Sequence, residues 1–280
     1  MTRARRIDAH QHFWQLARGD YRWLGPELAP LYRDFGPADL APHLARAAID
    51  ATVLVQAADS LAETRFLLEI AGRTSFVAGV VGWVPLDDPD APRIIGELAR
   101  DAKLVGLRPM LQDLERDDWI LARELEPALQ ALVDAGLVFD ALVKPRHLAP
   151  LANFAERHPE LRIVIDHAGK PEFAHGAPAA SWRSDLARLA ARANSWCKLS
   201  GLASEAPSGW TARELRPFVD SVFDCFGPER VVWGSDWPVV ELSGGYAAWW
   251  DATTTLLAQL DASDRERVLG LNAIELYQLS

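Results

Sequence analysis

A chain of 280 residues, 49% hydrophobic and 24% charged, has the apolar content for a sizeable core and none of the bias of disordered or fibrous sequences. Its formal net charge of −10 argues against a surface for nucleic acid or an anionic membrane, both of which favour clustered Lys and Arg. The two isolated cysteines, Cys197 and Cys225, make neither a disulfide framework nor a CxxC metal site. The basic start Thr2–Arg6 leads into Ile7 without an apolar signal segment, and no apolar run reaches the roughly 18 residues of a membrane helix, so the expected location is cytoplasmic.

In chain order, a strand pattern over Arg6–Phe13 precedes a long aromatic segment without strands, Trp14–Pro37. A Val-rich strand at Ala51–Ala58 leads into apolar residues at three- and four-residue spacing over Leu61–Ala71, a helix. A strand at Phe76–Leu86 is followed by Asp87 and Asp88 before Pro89, a helix-start signal, and by a helix over Ala91–Ala102. Then come a strand at Leu104–Leu111, a helix over Glu124–Ala135 ended by Gly136, and a strand at Leu137–Val143. The pattern repeats with helix Leu148–Arg157, strand Arg162–Gly169, helix Ser184–Ala193 and strand Trp196–Gly201. Thr211 opens and Gly227 closes a helix over Ala212–Phe226, a strand follows at Val231–Pro238, and Ala262–Ser280 reads as a closing helix. Short strands rich in Val, Ile and Leu, alternating with helices, predict a parallel sheet buried on both faces with right-handed crossovers. No GxGxxG follows the first strand, which lowers the open nucleotide-binding alternative. The length matches the roughly 250 residues of a (β/α)₈ barrel, so the expectation is a single TIM-type barrel domain over residues 1–280.

Three strand ends carry candidate chemistry. His10 and His12 alternate on strand 1, so both imidazoles project from one face near the carboxyl end, where barrels place active sites. Alone, such a pair is more often packed or at the surface. His167 ends strand 6 beside Asp166; in a regular strand the two point to opposite faces, so only one is expected to face the barrel axis. Asp236 follows the apolar strand 8, held between Ser235 and Trp237-Pro238; its plain alternative is a helix N-cap. Together, imidazoles and a carboxylate at one barrel end suit a divalent ion, zinc the best match, which would lower a bound water's pKa from about 15.7 toward about 7.

Asp8-Ala9-His10-Gln11-His12-Phe13-Trp14, Asp166-His167-Ala168-Gly169-Lys170-Pro171 and Gly234-Ser235-Asp236-Trp237-Pro238 resemble the motifs of the amidohydrolase-2 branch of the amidohydrolase superfamily. Within it they look closest to sugar lactonases of the L-fuconolactonase and L-rhamnonolactonase type, and the likeness runs along essentially the whole chain. The resemblance implies metal positions at His10, His12, His167 and Asp236, with Asp236 the base that takes a proton from water. Two departures stand out. Strand 4 offers Arg108 and no lysine, so the carbamylated lysine of two-metal relatives is absent and at most one ion is expected. Some members of the branch work without metal, which leaves Asp236 acting alone as an alternative. Pro109 stands where many lactonase relatives carry His, which leaves the lactone's identity open.

Arg108, Lys144 and Lys198 are cations near strand ends that would polarise a carbonyl or bind substrate oxygens; the alternative for each is a salt bridge, with Asp140 or Glu205. Of eleven tryptophans, Trp14, Trp83 and Trp237 fall at strand ends where flat indoles suit the C–H face of a sugar, while Trp249 and Trp250 read as packing. His43, His147 and His158 read as surface or capping residues, and His175 as a weaker site candidate. The expected activity is hydrolysis of a small sugar lactone. The rivals are a metal-dependent decarboxylase or another ester or amide hydrolase of the branch, and, from a different class, a non-catalytic sugar-binding barrel.

Overall fold

In a computed structural model, residues 3–173 and 176–280 are described. Eight strands pair in chain order, all parallel: β1 (Ile7–Gln11), β2 (Ala51–Val55), β3 (Val77–Gly82), β4 (Leu104–Leu107), β5 (Val138–Ala141), β6 (Ile163–Ile165), β7 (Ser195–Leu199) and β8 (Val231–Trp233). Backbone bonds from Asp236 N to His10 O (2.8 Å) and from His12 N to Trp237 O (2.7 Å) join the last strand's extension to the first and close the barrel. Gly234 makes that closure possible: a Cβ there would lie 2.7 Å from the His10 Cβ. The expected barrel is therefore present.

The helices α1 (Pro37–Ala47), α2 (Leu61–Arg73), α3 (Ala91–Leu98), α4 (Glu126–Asp134), α5 (Pro145–Arg157), α6 (Ala180–Ala190), α7 (Leu202–Glu205) and α8 (Ala212–Phe226) fill the crossovers. After β8 come α9 (Gly245–Leu256), α10 (Ala262–Glu266) and α11 (Asn272–Tyr277). Thr211 caps α8 as expected, accepting from Glu214 N, and Gly227 ends it. No helix among the described residues is long and apolar enough to cross a membrane.

Two cores result. Strand and helix side chains such as Leu54, Leu107, Phe139, Ile165, Leu199 and Trp233 form the larger one. A smaller one joins Ile7, Val53, Val81, Val138, Val164 and Val232 to Ala273, Leu276 and Tyr277 of α11. Arg162, just before β6, donates to Leu276 O at 2.8 Å, which sets α11 at the amino-terminal end of the strands. The other end is left for chemistry.

Helices α1 and α9 were not anticipated. Two glycines open α9 and three consecutive threonines, Thr253–Thr255, lie in it, all poor helix formers; burial of Tyr246, Trp249 and Leu256 overrides propensity. The predicted strands also overshoot their carboxyl ends. β6 stops at Ile165 and β8 at Trp233, and the residues beyond turn: His167, Ala168 and Asp236 have φ of 52°, 51° and 59°.

Glu63, on α2, is buried and accepts from Ala57 N (3.0 Å) and Ala58 N (2.8 Å), which holds the loop after β2. Burial pushes its carboxyl up to about 7, against those two bonds. The folded state thus holds this proton more tightly than the unfolded chain, and its contribution to stability falls as pH rises from about 4.5 through 7. In urea unfolding, the stability of wild type relative to Glu63→Gln should fall between pH 5 and pH 8; a constant or rising value would contradict this assignment.

Candidate active site

The bottom of the site is a buried ion network. Lys198 on β7, with no exposed surface, lies 2.5 Å from Asp140 Oδ2 on β5 and 2.9 Å from Asp166 Oδ1 just past β6. The Tyr277 hydroxyl of α11 donates to the same Asp140 oxygen at 2.8 Å. Arg108, just past β4, reaches Asp166 Oδ2 at 3.2 Å, and its other terminal nitrogen donates to Gln56 O. Two cations therefore face two carboxylates, the pairing that makes buried charge tolerable.

His10 rests on this layer. Its Nδ1 lies 3.1 Å from Lys198 Nζ and 3.5 Å from Asp166 Oδ1, and its Nε2 3.3 Å from an Arg108 nitrogen and 3.7 Å from Asp236 Oδ1. Burial, with Lys198 next, holds His10 well below its ordinary pKa, so the ring is neutral at neutral pH. In a regular strand Asp8 and His10 would share a face. Here the pairing of β1 with β2 shifts register between Asp8 and Gln11, and Asp8 instead meets Tyr246 Oη (3.2 Å) of α9 and Ser235 N (2.8 Å).

His12 and His167 complete the upper layer. His12 Nδ1 lies 2.8 Å from Val55 O. A carbonyl only accepts, so Nδ1 donates there, and Nε2 is the nitrogen turned toward Asp236 Oδ1, at 3.4 Å. His167 Nε2 stands 3.8 Å from the same oxygen, its Nδ1 2.9 Å from Ser200 Oγ. Gly201 (φ 66°) lets that ring in: a Cβ there would fall 2.5 Å from His167 Cγ. Burial pushes His167 down to about 4, against the pull of Asp236 and Asp166. Burial would raise Asp236, but His167, His12 and His10 outweigh it and hold this carboxyl below its usual range. Asp166 lies well below its usual range because Lys198, ahead of His10 and Arg108, outweighs burial.

Asp166 and His167 both reach the site, where a regular strand would have sent only one inward; the left-handed turn at His167 brings the second. His10 Nε2, His12 Nε2 and Asp236 Oδ1 lie close enough to bind one ion, within 4.8 Å of one another. Two imidazole nitrogens and one carboxylate oxygen, all buried and turned to one point, are the donor types a divalent cation takes. The donor set fits a divalent ion, and His10, Asp166 and His167 form a second group of ligand atoms within the same spacing.

Above lies a cavity of about 230 Å³, walled by His12, His167, Asp236 and Arg108 on the chemical side. Trp23, Met110, Leu142 and Val239 supply apolar wall, and Gln112, Asp113 and Lys170 polar groups. The sequence-predicted tryptophans stand elsewhere. Trp14 is wholly buried, with Nε1 donating to Arg33 O (2.8 Å) and its ring packed edge-on against Trp23. Trp237 is buried between Phe13 and Phe35, and Trp83 is held by Thr64 beside β3. Lys198 lies beneath His10, with Asp140, which is the salt-bridge alternative. Lys144 opens α5, where its backbone N–H donates to His147 Nδ1 (3.0 Å). Among the described residues none of these five lines the cavity. His43 packs on Tyr246, and His175 lies outside the described residues.

Trp23 was missed because it sits in the strandless segment, where no periodicity gives direction; its Nε1 bond to Ala57 O (2.8 Å) swings the ring over the cavity. Lys170 was legible only as part of a motif; its φ of 51° and its ion pair with Glu205 (3.0 Å) set it on the rim.

The chain resembles known proteins along nearly its whole length. The family model described as amidohydrolase matches residues 7–279. The chain is 50% identical to an L-fucono-1,5-lactonase of Burkholderia ambifaria, covering 98% of this chain and 96% of that protein. It is 38% identical to an L-fucono-1,5-lactonase of Burkholderia multivorans, over 99% and 97%. A crystal structure of an amidohydrolase from Burkholderia multivorans with bound zinc superposes with a TM-score of 0.94 at 36% identity, covering 99% of this chain and all of that one. Matched over nearly its whole length in sequence and in fold, with the histidines and aspartate gathered at the carboxyl mouth of the barrel, the chain belongs to the amidohydrolase family.

Proposed function

We propose that this amidohydrolase opens a sugar lactone, of the L-fucono-1,5-lactone type, to the aldonic acid. The observation that carries the reading is the meeting, on one wall of a small cavity, of an ionised Asp236 carboxylate with the Arg108 guanidinium, a base for water beside a donor for an oxyanion. The substrate class follows the full-length relatives, which are L-fucono-1,5-lactonases. The cytoplasm is the compartment this reading assigns.

Asp236 takes a proton from water as its oxygen bonds to the lactone carbonyl carbon. Negative charge develops on the carbonyl oxygen, where Arg108, already fixed by Asp166 and Gln56, donates without reorganising. The tetrahedral centre then collapses, the ring C–O bond breaks, and the leaving alkoxide receives the proton from Asp236, with His167 alongside. Zinc held by His10, His12 and Asp236 would supply Lewis acidity toward water or carbonyl. Trp23 offers the flat face for the sugar's C–H groups, and Gln112, Asp113 and Lys170 the partners for its hydroxyls. In this reading Trp14 and Trp237 support the wall from behind, and Lys198 holds His10 from below.

With a panel of aldono-lactones, Asp236→Asn should lower kcat by about 10²–10⁴-fold while the melting temperature stays close to wild type. Near-wild-type turnover would remove Asp236 from the role of base. Arg108→Gln should cost about 10²–10³-fold in kcat; an effect on KM alone would make Arg108 a binding group only. Equilibrium dialysis should find one zinc per chain, lost in His12→Ala, and two per chain would refute the single-ion site. Release of carbon dioxide from aryl acids, with no lactone opened, would favour a decarboxylase.

A further inference from the structure

A hollow of about 650 Å³ lies at the amino-terminal end of the barrel, far from the catalytic mouth. Arg3 and Arg6 enter it from the segment before β1, Arg46 from the last turn of α1, Trp250 from α9, and Arg265 and Glu266 from α10. Four guanidinium groups against one carboxylate is a sharp local reversal in a chain of net charge −10.

The pairing of these cations is incomplete. Arg3 is neutralised by Asp50, at 2.8 and 2.9 Å. The Arg6 guanidinium has only Ala47 O, at 3.3 Å, and lies 5.6 Å above the Trp250 ring. Arg265 donates to Leu260 O alone, and Arg46 has no hydrogen-bonding or ionic partner among the described residues. Arg6 and Arg265 are half-buried. A partly desolvated cation bonded only to a neutral carbonyl keeps most of its capacity for an anion. Arg6 in addition lies beside Arg3, and burial, with Arg3 next, lowers its pKa. Among the described residues Glu266 is the only acid lining the hollow, with Asp50 paired to Arg3 beside it, so an anion entering meets net positive charge.

We propose that this hollow is a binding site for a small organic anion, a carboxylate or phosphate monoester on a compact ring or polyol body. The anionic group is held by Arg6, Arg46 and Arg265, and the body lies along Trp250. The volume matches such a ligand: cavities for small molecules run from about 300 to 1,000 Å³. The helix that forms its inner wall, α9, also carries Tyr246 and Trp249, bonded to Asp8 and to Gly234 O (3.0 Å) below the catalytic loop.

Isothermal titration with gluconate and with glucose 6-phosphate separates the two anionic groups. At least one should bind with Kd near or below about 1 mM, weakening with salt. Arg46→Glu should weaken that binding about tenfold or more, and Arg46→Lys should retain most of it, because Lys keeps the charge. Arg46 is exposed on α1, so both variants should melt with wild type; Arg265→Ala provides an independent loss of one donor. Arg108→Gln, altered at the catalytic mouth, should leave the Arg46-dependent part of the binding as it is in wild type. No binding of either anion, binding unchanged in Arg46→Glu and Arg265→Ala, or binding lost in Arg108→Gln alone would overturn the proposal. None of these readouts depends on lactone hydrolysis.

Discussion

Lys198 is a charge placed where no water can reach it, and the site is built on the way that charge is neutralised. Asp140 and Asp166 face it, Arg108 faces Asp166 from the other side, and Tyr277 reaches from the closing helix to share Asp140. Removing one partner of such a set leaves an uncompensated buried ion, a cost of about 3–5 kcal/mol. The strands that carry these residues, β4 to β7, are therefore held in register by more than their ladders. His10 sits on the layer with both ring nitrogens facing its members, and Arg108 is aimed before any substrate arrives.

On that foundation the upper layer is made by turns rather than by strands. The chain leaves β6 and β8 early and passes through left-handed backbone at His167 and Asp236, conformations disfavoured for residues with a Cβ. What holds them is specific: Ser200 and the space at Gly201 for the His167 ring; Asp8, Ser235 and the backbone bond from Asp236 N to His10 O for the last strand's loop. Strain at such positions is typical of functional sites and persists only where the surroundings fix it. The result is an ionised Asp236 with three imidazoles around one of its oxygens.

Aromatic side chains divide into two roles that composition does not separate. Trp14, Phe35, Phe13 and Trp237 interlock at edge-to-face angles and form a wall with its indoles turned away from the cavity. Trp23, packed on Trp14, is the member that the loop leaves partly exposed, at 39%. A tryptophan-rich strand end is thus the backing, and the contact surface comes from the loop in front of it.

The sequence by itself determined the barrel, because strands buried on both faces must be short apolar runs and parallel strands need helical crossovers, patterns readable at one residue's resolution. It also singled out His10, His12, His167 and Asp236 at strand ends, since strand periodicity and motif likeness both depend on neighbours in the chain. Only the tertiary structure decided which cations face the cavity. Arg108, Lys144 and Lys198 look alike along the chain, but one points to the cavity, one opens a helix and one is sealed below His10 by carboxylates from two other strands. It alone placed Trp23 over the site and brought Asp166 and His167 in together, because the direction of a side chain past a strand's end is set by turns and by partners distant in sequence, and periodicity ends where the strand does.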